Sequence, residues 1–569
     1  MAIIPLDAPA IPQVPFVTTF VTAHPIITSV VAILLLLYIY CYPYTEYTLA
    51  YRNVPGPPSS SVLFGNLPDI VHDQTVPAPM QWFRQYGTTI RYSYFLGAHR
   101  FTTTDARAVE FIAQHTDLFV RPPQLSRVLG WAFGHGILTV EGEAHKRQRR
   151  VLNPAFGAKA VRGMMPIFWE CAYALSQKLD GFLDSSNDVV TCPSPPVPVD
   201  RVPGARKIDV LKYLGQATLD INGRAGFDYE FGSLEERPNA LAESFNSIWT
   251  EMKVTIVAIL IDCYAEKLPL REIRLIEHYR GKTRAIADDI VQRKKRDLQA
   301  EFTEKMDRKT KMGDDLVTLL LRANMVPDLP ASQKLSDEEV RDQITNFILA
   351  GNETSATALA WGLMRLAQNL RVQHKLREEL MAVTEDHLDY DELMALPYLD
   401  KVTREILRLD PPVPGAPRMA AADVVVPLAT PIRGRNGKMM DHVKLRKGDQ
   451  LVASMIEVNR SKELWGEDAD EFKPERYDKE HPTTLKVPGV WGNVMTFMGG
   501  PHNCLGYRFA LAMIKSILFV LIRNFEFEEL PSKPVFLYKI GVVLRPYVEG
   551  EESAGLQMPL LVRPVQQAE

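Results

Sequence analysis

The sequence predicts a mainly α-helical protein with small β-sheets, an α+β arrangement over residues 46–569, behind one helix that crosses a membrane. Long amphipathic patterns with a helical period dominate the middle of the chain. Short strand-like runs lie between later loops, at Val424–Val426 and Gln450–Ala453. Near the start, no Asp, Glu, Lys or Arg occurs from Ala8 to Thr45.

The uncharged stretch is most apolar from Pro25 to Tyr42 and ends in several tyrosines. At about 1.5 Å per residue this run is just long enough to cross a bilayer, with tyrosines at one interface. A cleaved signal peptide is the alternative, but its basic start and small-residue cleavage point are missing. We therefore expect a lumenal N-terminus at 1–24, a transmembrane anchor at 25–44, a proline-rich hinge at 45–60 and a catalytic domain at 61–569.

Two observations favour a cytosolic catalytic domain on the endoplasmic reticulum membrane. Residues 1–24 contain no Lys or Arg, whereas Arg52 follows the span, and positive charge favours the cytosolic side. The sequons at Asn352 and Asn459 would be open to glycosylation in the lumen. Asn352 lies in a helix that we expect in the core, where a glycan does not fit.

The composition excludes several classes of protein. The 569 residues carry a net charge of -4, which argues against nucleic acid as the main partner. The five cysteines are far apart and form no Cys-x-x-Cys pair, which excludes a zinc ribbon and the common iron–sulfur spacings. A disulfide framework is not expected either.

The segment from Phe497 to Gly506 places Cys504 after a glycine-rich turn and directly before an apolar helical pattern. A cysteine at a helix N-terminus meets free backbone N–H groups and the positive end of the helix dipole, so we expect its pKa to fall. Gly500 permits a tight turn, Gly506 permits close approach of a flat group, and Phe497 can cover the sulfur. Such a thiolate suits metal binding; the alternative is a buried free cysteine that packs as a small hydrophobe.

The pattern Phe-x-x-Gly-x-x-x-Cys-x-Gly resembles the haem-binding loop of the cytochrome P450 superfamily. The resemblance implies that Cys504 is the axial ligand of a haem b iron, and that Phe497, Gly500 and Gly506 belong to the cofactor-binding loop.

A second segment resembles the oxygen-activation motif of the same family. A helix is predicted to begin at a capping box, Ser336 to Glu339, and to continue past Glu353 and Thr354. Hydroxyls within an apolar helix compete for backbone carbonyls and can open the helix to hold water. The resemblance implies that Thr354 hydrogen-bonds dioxygen or its water and that Glu353 relays protons. The alternative is a helix kink with a solvent-facing Glu353.

Further segments resemble the family in order and spacing. Glu405 and Arg408 stand at i and i+3 on one predicted helix, ordinarily the spacing of a surface pair. The resemblance implies that they form a buried ion triad with Arg476 that supports the cysteine loop. It also implies that Arg149 and Arg418 bind the haem propionates.

His145 stands where the family usually has Trp, and His502 where Arg is commonest. We expect both to help bind the propionates, or else to be ordinary surface or core residues. If they act as cations, haem retention should weaken as rising pH removes their charge.

The resemblance covers about residues 50–550 and implies a membrane-anchored, fungal-type monooxygenase of secondary metabolism. Such an enzyme inserts one oxygen atom from O2 into a lipophilic molecule: a terpenoid, sterol, fatty acid or aromatic compound. NADPH would supply electrons through a separate NADPH–cytochrome P450 reductase, with cytochrome b5 as a further partner. Two alternatives stay open: a haem-thiolate isomerase or dehydratase, and a non-catalytic membrane haem protein.

Two further expectations rest on position alone. Lys515 and Arg508 are candidates for the reductase-docking face. Leu125–Ile137, which contains Trp131 and Phe133, and the helices around Phe245–Ile261 are expected to line the substrate pocket.

Overall fold

The architecture is known from a computed structural model. It describes residues 24–71, 76–184, 192–193, 200–244, 247–248, 271–303, 315–325, 330, 333–478, 487–539 and 542–565. The first helices are α1 Pro25–Ile39, α2 Thr45–Thr48, α3 Leu67–Val71, α4 Ala78–Tyr86, α5 Ala106–Gln114, α6 Pro123–Phe133, α7 Gly142–Leu152, α8 Ala158–Asp184 and α9 Val210–Phe227. The later ones are α10 Arg271–Thr303, α11 Leu316–Asn324, α12 Asp337–Gln368, α13 Leu370–Met381, α14 Tyr390–Ala395, α15 Pro397–Leu409, α16 Ile456–Asn459, α17 Lys462–Trp465 and α18 Tyr507–Asn524.

The strands form small sheets at the edges of this helical body, as the sequence predicts. They are β1 Thr89–Ser93, β2 His99–Thr103, β3 Phe119–Val120, β4 Arg206–Asp209, β5 Gly415–Ala420, β6 Val424–Arg433, β7 Met439–Leu445, β8 Gln450–Ser454, β9 Phe525–Glu528, β10 Phe536–Lys539, β11 Arg545–Val548 and β12 Pro559–Pro564. The largest sheet has the order β1-β2-β8-β5-β3, with only β2 and β8 parallel. The strand-like runs predicted at 424–426 and 450–453 are confirmed as parts of β6 and β8.

The uncharged N-terminal segment forms one helical rod from Pro25 to Thr48, 24 residues long. No residue of its most apolar 18-residue stretch is buried against the rest of the chain. Its length and composition suit a membrane span. The helix extends four residues beyond residue 44, and the predicted bounds of the anchor itself stay a prediction. Tyr40–Tyr44 form a π-helical turn, and the hydroxyls of Thr45 and Thr48 donate to the carbonyls of Tyr40 and Tyr44, which continues the helix. Residues 1–23 lie outside the described part of the chain.

The segment after the rod packs tightly on the largest sheet. Within the predicted hinge, the backbone N–H of Arg91 in β1 donates to the Pro55 carbonyl at 2.9 Å. Gly56 lies so close to β1 that a Cβ there would sit 1.7 Å from the Arg91 carbonyl oxygen. Glu46, at the end of the rod, pairs with Arg91 at 2.6 Å and with Arg435 at 3.0 Å. The segment is therefore fastened to the catalytic domain.

The long helix α12 runs through the centre of the helical body and is buried over much of its length. It begins as predicted, because Ser336 and Glu339 form a capping box in which each side chain accepts a hydrogen bond from the other's backbone N–H. The apolar helix α18 is almost wholly buried beside it. These two helices face each other across the cavity that contains the candidate site.

We expect Gly56→Ala to destabilise the protein, because the added methyl group must push the hinge off β1. Overpacking of this kind costs about 1–3 kcal/mol. Thermal unfolding followed by circular dichroism measures the effect. Gly281→Ala, inside α10 with nothing within 4 Å of the new Cβ, is the matched control and should not lower the midpoint. Equal midpoints for wild type and Gly56→Ala would contradict the prediction.

Candidate functional site

A cavity of about 410 Å³ lies between α12, α6, β5 and the loop that carries Cys504. One wall is apolar and comes from the predicted pocket segment, through Leu125, Leu129, Phe133 and Ile137. Trp131 in the same segment does not line the cavity and packs against the core instead. Of the other predicted pocket segment, residues 245–246 and 249–261 lie outside the described part of the chain.

The cysteine loop is held in a tight backbone conformation. The N–H of Cys504 donates to the Phe497 carbonyl at 2.8 Å, which closes the loop at its base. Gly500 has a φ of +70°, and a Cβ there would lie 2.0 Å from the Ala113 carbonyl oxygen. Both the left-handed backbone and the contact with α5 therefore require glycine at this position. Gly506 meets no such restriction, since a Cβ there would only touch Phe156 at 3.6 Å.

The Cys504 sulfur lies deep inside the protein, although a water-sized sphere reaches it through the cavity. Burial raises the pKa of the thiol, and the Gly506 N–H and the Arg149 guanidinium only partly oppose this. The pKa fall expected from the helix N-terminus is therefore wrong for the protein by itself. Helix α18 begins only at Tyr507, so its free N–H groups do not outweigh desolvation.

The opposite wall of the cavity is formed by Ala350, Gly351, Thr354 and Ser355 of α12. The Thr354 hydroxyl donates to the Ala350 carbonyl at 2.6 Å, the competition for backbone acceptors expected of a hydroxyl within a helix. Asn222 of α9 fills the notch at Gly351, where a Cβ would lie 2.2 Å from its side-chain oxygen. Sequence reasoning missed Asn222, because only the folded chain brings α9 against α12.

Glu353 turns away from the cavity and pairs with Arg545 of β11 at 2.7 Å. Its side chain is 20% exposed, so the alternative of a solvent-facing Glu353 is wrong. Burial raises the pKa of Glu353, and the charge of Arg545 partly counteracts the rise. The acid and the neighbouring hydroxyl thus face different sides of α12.

Cationic side chains collect at one edge of the cavity. The predicted Arg149, Arg418, His145 and His502 are joined there by Arg121, which sequence reasoning missed. Arg149 donates to the Asn503 carbonyl at 2.5 Å, beside Cys504. Burial and the nearby Arg121 lower the pKa of Arg418 to about 10. Three arginines converge here, and the carboxylate of Glu141 lies 3.7 Å from Arg121.

The two histidines stack edge to face, with ring centroids 4.1 Å apart. Burial lowers the pKa of His145 to about 4, with Arg149 adding to the effect. Burial also lowers the pKa of His502 to about 3, reinforced by His145 and Arg418. Both rings are thus neutral near pH 7 in the protein by itself, and the expected weakening of haem retention with rising pH stays a prediction. As neutral rings each can still donate one hydrogen bond.

These residues fit a haem. The cavity is lined by Cys504, by the hydroxyl-bearing helix α12 and by several arginines. One nitrogen of the Arg121 guanidinium is buried without a hydrogen-bond partner, so the positive charge at this edge is poorly satisfied by the protein alone. A flat group with two carboxylates would supply the missing negative charge.

The predicted ion triad is present and buried. Arg408 donates to Glu405 through two nitrogens at 2.8 Å each, and Arg476 donates to the same carboxylate at 2.8 Å. Neither Glu405 nor Arg408 is exposed. Desolvated charges of this kind are stable only when all of them are paired.

The triad is linked to the cysteine loop through Asn459. Arg408 donates to the Asn459 carbonyl at 2.8 Å, and the Asn459 side chain accepts from the Met495 N–H at 2.7 Å. Thr496 accepts from the same side chain at 2.9 Å and lies just before Phe497, where the loop begins. Asn459 is fully buried, so its sequon is not available for glycosylation in the folded protein. Its structural role was not visible in the sequence.

The two residues predicted to lie on a docking face differ in their surroundings. Lys515 is buried and donates to Asp400 at 2.8 Å, so its prediction as an exposed docking residue is wrong. Arg508 lies beside a cleft of about 250 Å³ that also contains Arg149, Asn503 and Tyr507. Its role in docking stays a prediction.

We expect Glu405→Ala to abolish haem incorporation, because it leaves Arg408 and Arg476 buried without their carboxylate. Losing one partner of a buried ion pair costs about 3–5 kcal/mol. The ratio of haem absorbance to protein in the purified variant measures the effect. Glu143→Ala is the control, since that side chain is 88% exposed in a surface pair with Lys146. A folded, fully haem-loaded Glu405→Ala protein would disprove the structural role.

Comparison with known proteins gives a consistent result. The family model described as cytochrome P450 matches residues 55–548. The chain is 39% identical to cytochrome P450 monooxygenase 205 of Postia placenta, over 90% of this chain and 93% of that protein. It is 38% identical to cytochrome P450 monooxygenase 128 of the same fungus, over 91% and 93%. A protein of Ganoderma lucidum named ganoderic acid synthetase is 33% identical, over 85% and 89%.

Proposed function

The chain belongs to the cytochrome P450 family of monooxygenases, and we propose that it binds haem b through Cys504 and inserts one oxygen atom from O2 into a lipophilic small molecule. Two electrons and two protons reduce the second oxygen atom to water. The observation that carries the proposal is that Cys504, Thr354 and the arginine-rich edge line one cavity.

The haem, when bound, supplies the redox-active iron at which dioxygen is reduced. Cys504 would hold the iron from one side, and deprotonation on binding would overcome the raised pKa of its thiol. Arg121, Arg149 and Arg418 would bind the propionates as charged donors, and His145 and His502 would add neutral N–H donors. Phe497 packs beside the loop and helps to exclude water from the sulfur.

Protons would reach the cavity through α12. Glu353 is buried, and its raised pKa allows it to hold and release a proton closer to neutral pH than an exposed carboxylate. The Thr354 hydroxyl, which donates to the Ala350 carbonyl at rest, can rotate to donate into the cavity. The two residues face different sides of the helix, so at least one water must connect them.

The substrate would be a terpenoid, sterol, fatty acid or aromatic compound, because α6 and the loop after it present apolar side chains to the cavity. We place the reaction in fungal secondary metabolism. Electrons would come from NADPH through a separate reductase, with cytochrome b5 as a further donor, and the cleft beside Arg508 is the proposed docking site. The rod Pro25–Thr48 would anchor the enzyme in the endoplasmic reticulum membrane, with the catalytic domain cytosolic.

Cys504→Ser tests the central assignment. We expect the wild-type protein, reduced under carbon monoxide, to show the red-shifted Soret maximum of thiolate ligation, and the variant to lose it. Cys171→Ser is the matched control, because that cysteine is also free but lies buried in α8 away from the cavity. A wild-type protein without the shift, or a Cys504→Ser protein that keeps it, would refute the proposal.

We expect Thr354→Ala to bind haem normally but to release reduced oxygen as hydrogen peroxide, because the hydroxyl that delivers protons is missing. The rate of the productive step should fall by about 100-fold or more, the usual size of a lost proton-transfer group, so product per NADPH should fall while peroxide rises. The measurement is NADPH consumption against peroxide and product, with reductase and any lipophilic compound that shifts the haem spin state. Thr357→Ala, one turn further along and buried outside the cavity, is the control. Unchanged coupling in Thr354→Ala would reject this role.

A further inference from the structure

The loop from Gly134 to Leu138 forms part of the apolar cavity wall and continues directly from α6. Three polar side chains from one stretch of α12 hold its backbone. The His135 N–H donates to Asp342 at 2.7 Å, the Ile137 N–H to Gln343 at 3.0 Å and the Leu138 N–H to Asn346 at 3.0 Å. The Asn346 amide also donates back to the Phe133 carbonyl at 3.0 Å, at the last residue of α6.

Two glycines let the loop lie flat against α12. Gly134 has a φ of +84°, and a Cβ there would sit 2.3 Å from the Asp342 carboxyl carbon. A Cβ on Gly136 would sit 2.6 Å from the Asn346 amide carbon. The loop therefore fits the polar side chains with no space between them, so a larger residue at either position must lift it away from the helix.

Each of the three polar side chains is at most 2% exposed. The other buried positions of the same helix are mostly apolar. Buried polar groups are stable only when their hydrogen bonds are satisfied, and here the backbone of one loop supplies the partners. A second layer supports them from α7. Gln148 donates to the His135 carbonyl and accepts from Gln343, both at 3.0 Å, while Arg147 pairs with Glu339 of the capping box.

We propose that Asp342, Gln343 and Asn346 form a latch that holds α6 against α12, and thereby sets the size of the lipophilic molecules that this cavity admits. The inference rests on the proposed function, since it names the residues that control access to that site. Helix α6 carries Leu125, Leu129 and Phe133 on the cavity wall, and the latch fastens its C-terminal end. Release of the latch would let α6 and the loop move outward together, which widens the cavity. Asp342 and Gln343 are positioning residues, because they act through α6 and the loop, whereas Asn346 also lines the cavity itself.

The experiment compares the full-length holoprotein with Asn346→Leu, which keeps the branched shape of the side chain but removes its hydrogen bonds to Leu138, to Phe133 and to the Asp342 carbonyl. Gly136→Ala disrupts the same contact from the loop, because the added methyl group meets the Asn346 amide. It replaces Asn346→Leu in the experiment if that variant does not fold. Gln368→Leu is the matched control, because that residue lies near the end of α12 and binds Glu529 away from the cavity. Amide hydrogen exchange of residues 134–138 is measured together with the binding of imidazole and of the bulky azole clotrimazole, followed by Soret shifts.

We expect faster exchange of the loop amides in both latch variants but not in the control. Clotrimazole should bind up to about tenfold more tightly or faster, because the open form no longer has to be reached from a minor population. Imidazole, which fits the closed cavity, should change little. Unchanged exchange, or equal changes for the two azoles, would overturn the latch. A wild-type protein without a thiolate spectrum would instead refute the proposed function, while the exchange result would still report on the latch.

Discussion

The salt bridge between Glu405 and Arg408 is the interaction on which the site depends. Both charges are completely buried, and Arg408 completes its hydrogen bonds with the carbonyls of Asn459 and Ala469. Asn459 then fixes the residues immediately before the cysteine loop. Hydrogen bonds thus connect a charged network outside the cavity to the residues that precede the cysteine loop. Buried charge is a costly way to position a loop, but it leaves few alternative arrangements.

The arginine-rich edge of the cavity differs from the triad in how its charges are balanced. Here the protein brings three arginines together, and the carboxylate of Glu141 lies near Arg121. Burial, reinforced by these arginines, suppresses protonation of His145 and His502. On the proposed function, a ligand with two carboxylates would reduce the repulsion among the arginines. The triad is satisfied within the protein, whereas this edge is not.

Local patterns in the sequence predicted much of this correctly. The capping box at Ser336, the strands β6 and β8 and the i, i+3 pair of Glu405 and Arg408 depend on residues close together in the chain, so their geometry could be inferred. Lys515 could not be assigned correctly, because its partner Asp400 comes from a distant helix and makes a buried lysine tolerable. The neutral histidines were missed for the same reason: their pKa values depend on arginines from three separate segments. Burial and charge among distant segments are properties of the fold.

The ion pairs of Glu46 have a consequence for how the enzyme would meet its electron donor. Arg91 and His99 of the largest sheet and Arg435 of the turn between β6 and β7 hold the end of the N-terminal rod, and Gly56 keeps the following segment close to β1. If the rod is the membrane anchor, these contacts restrict the height and the tilt of the catalytic domain relative to the membrane. The domain would then meet a second membrane-anchored protein by lateral diffusion, and the main orientation left to adjust would be rotation about the membrane normal.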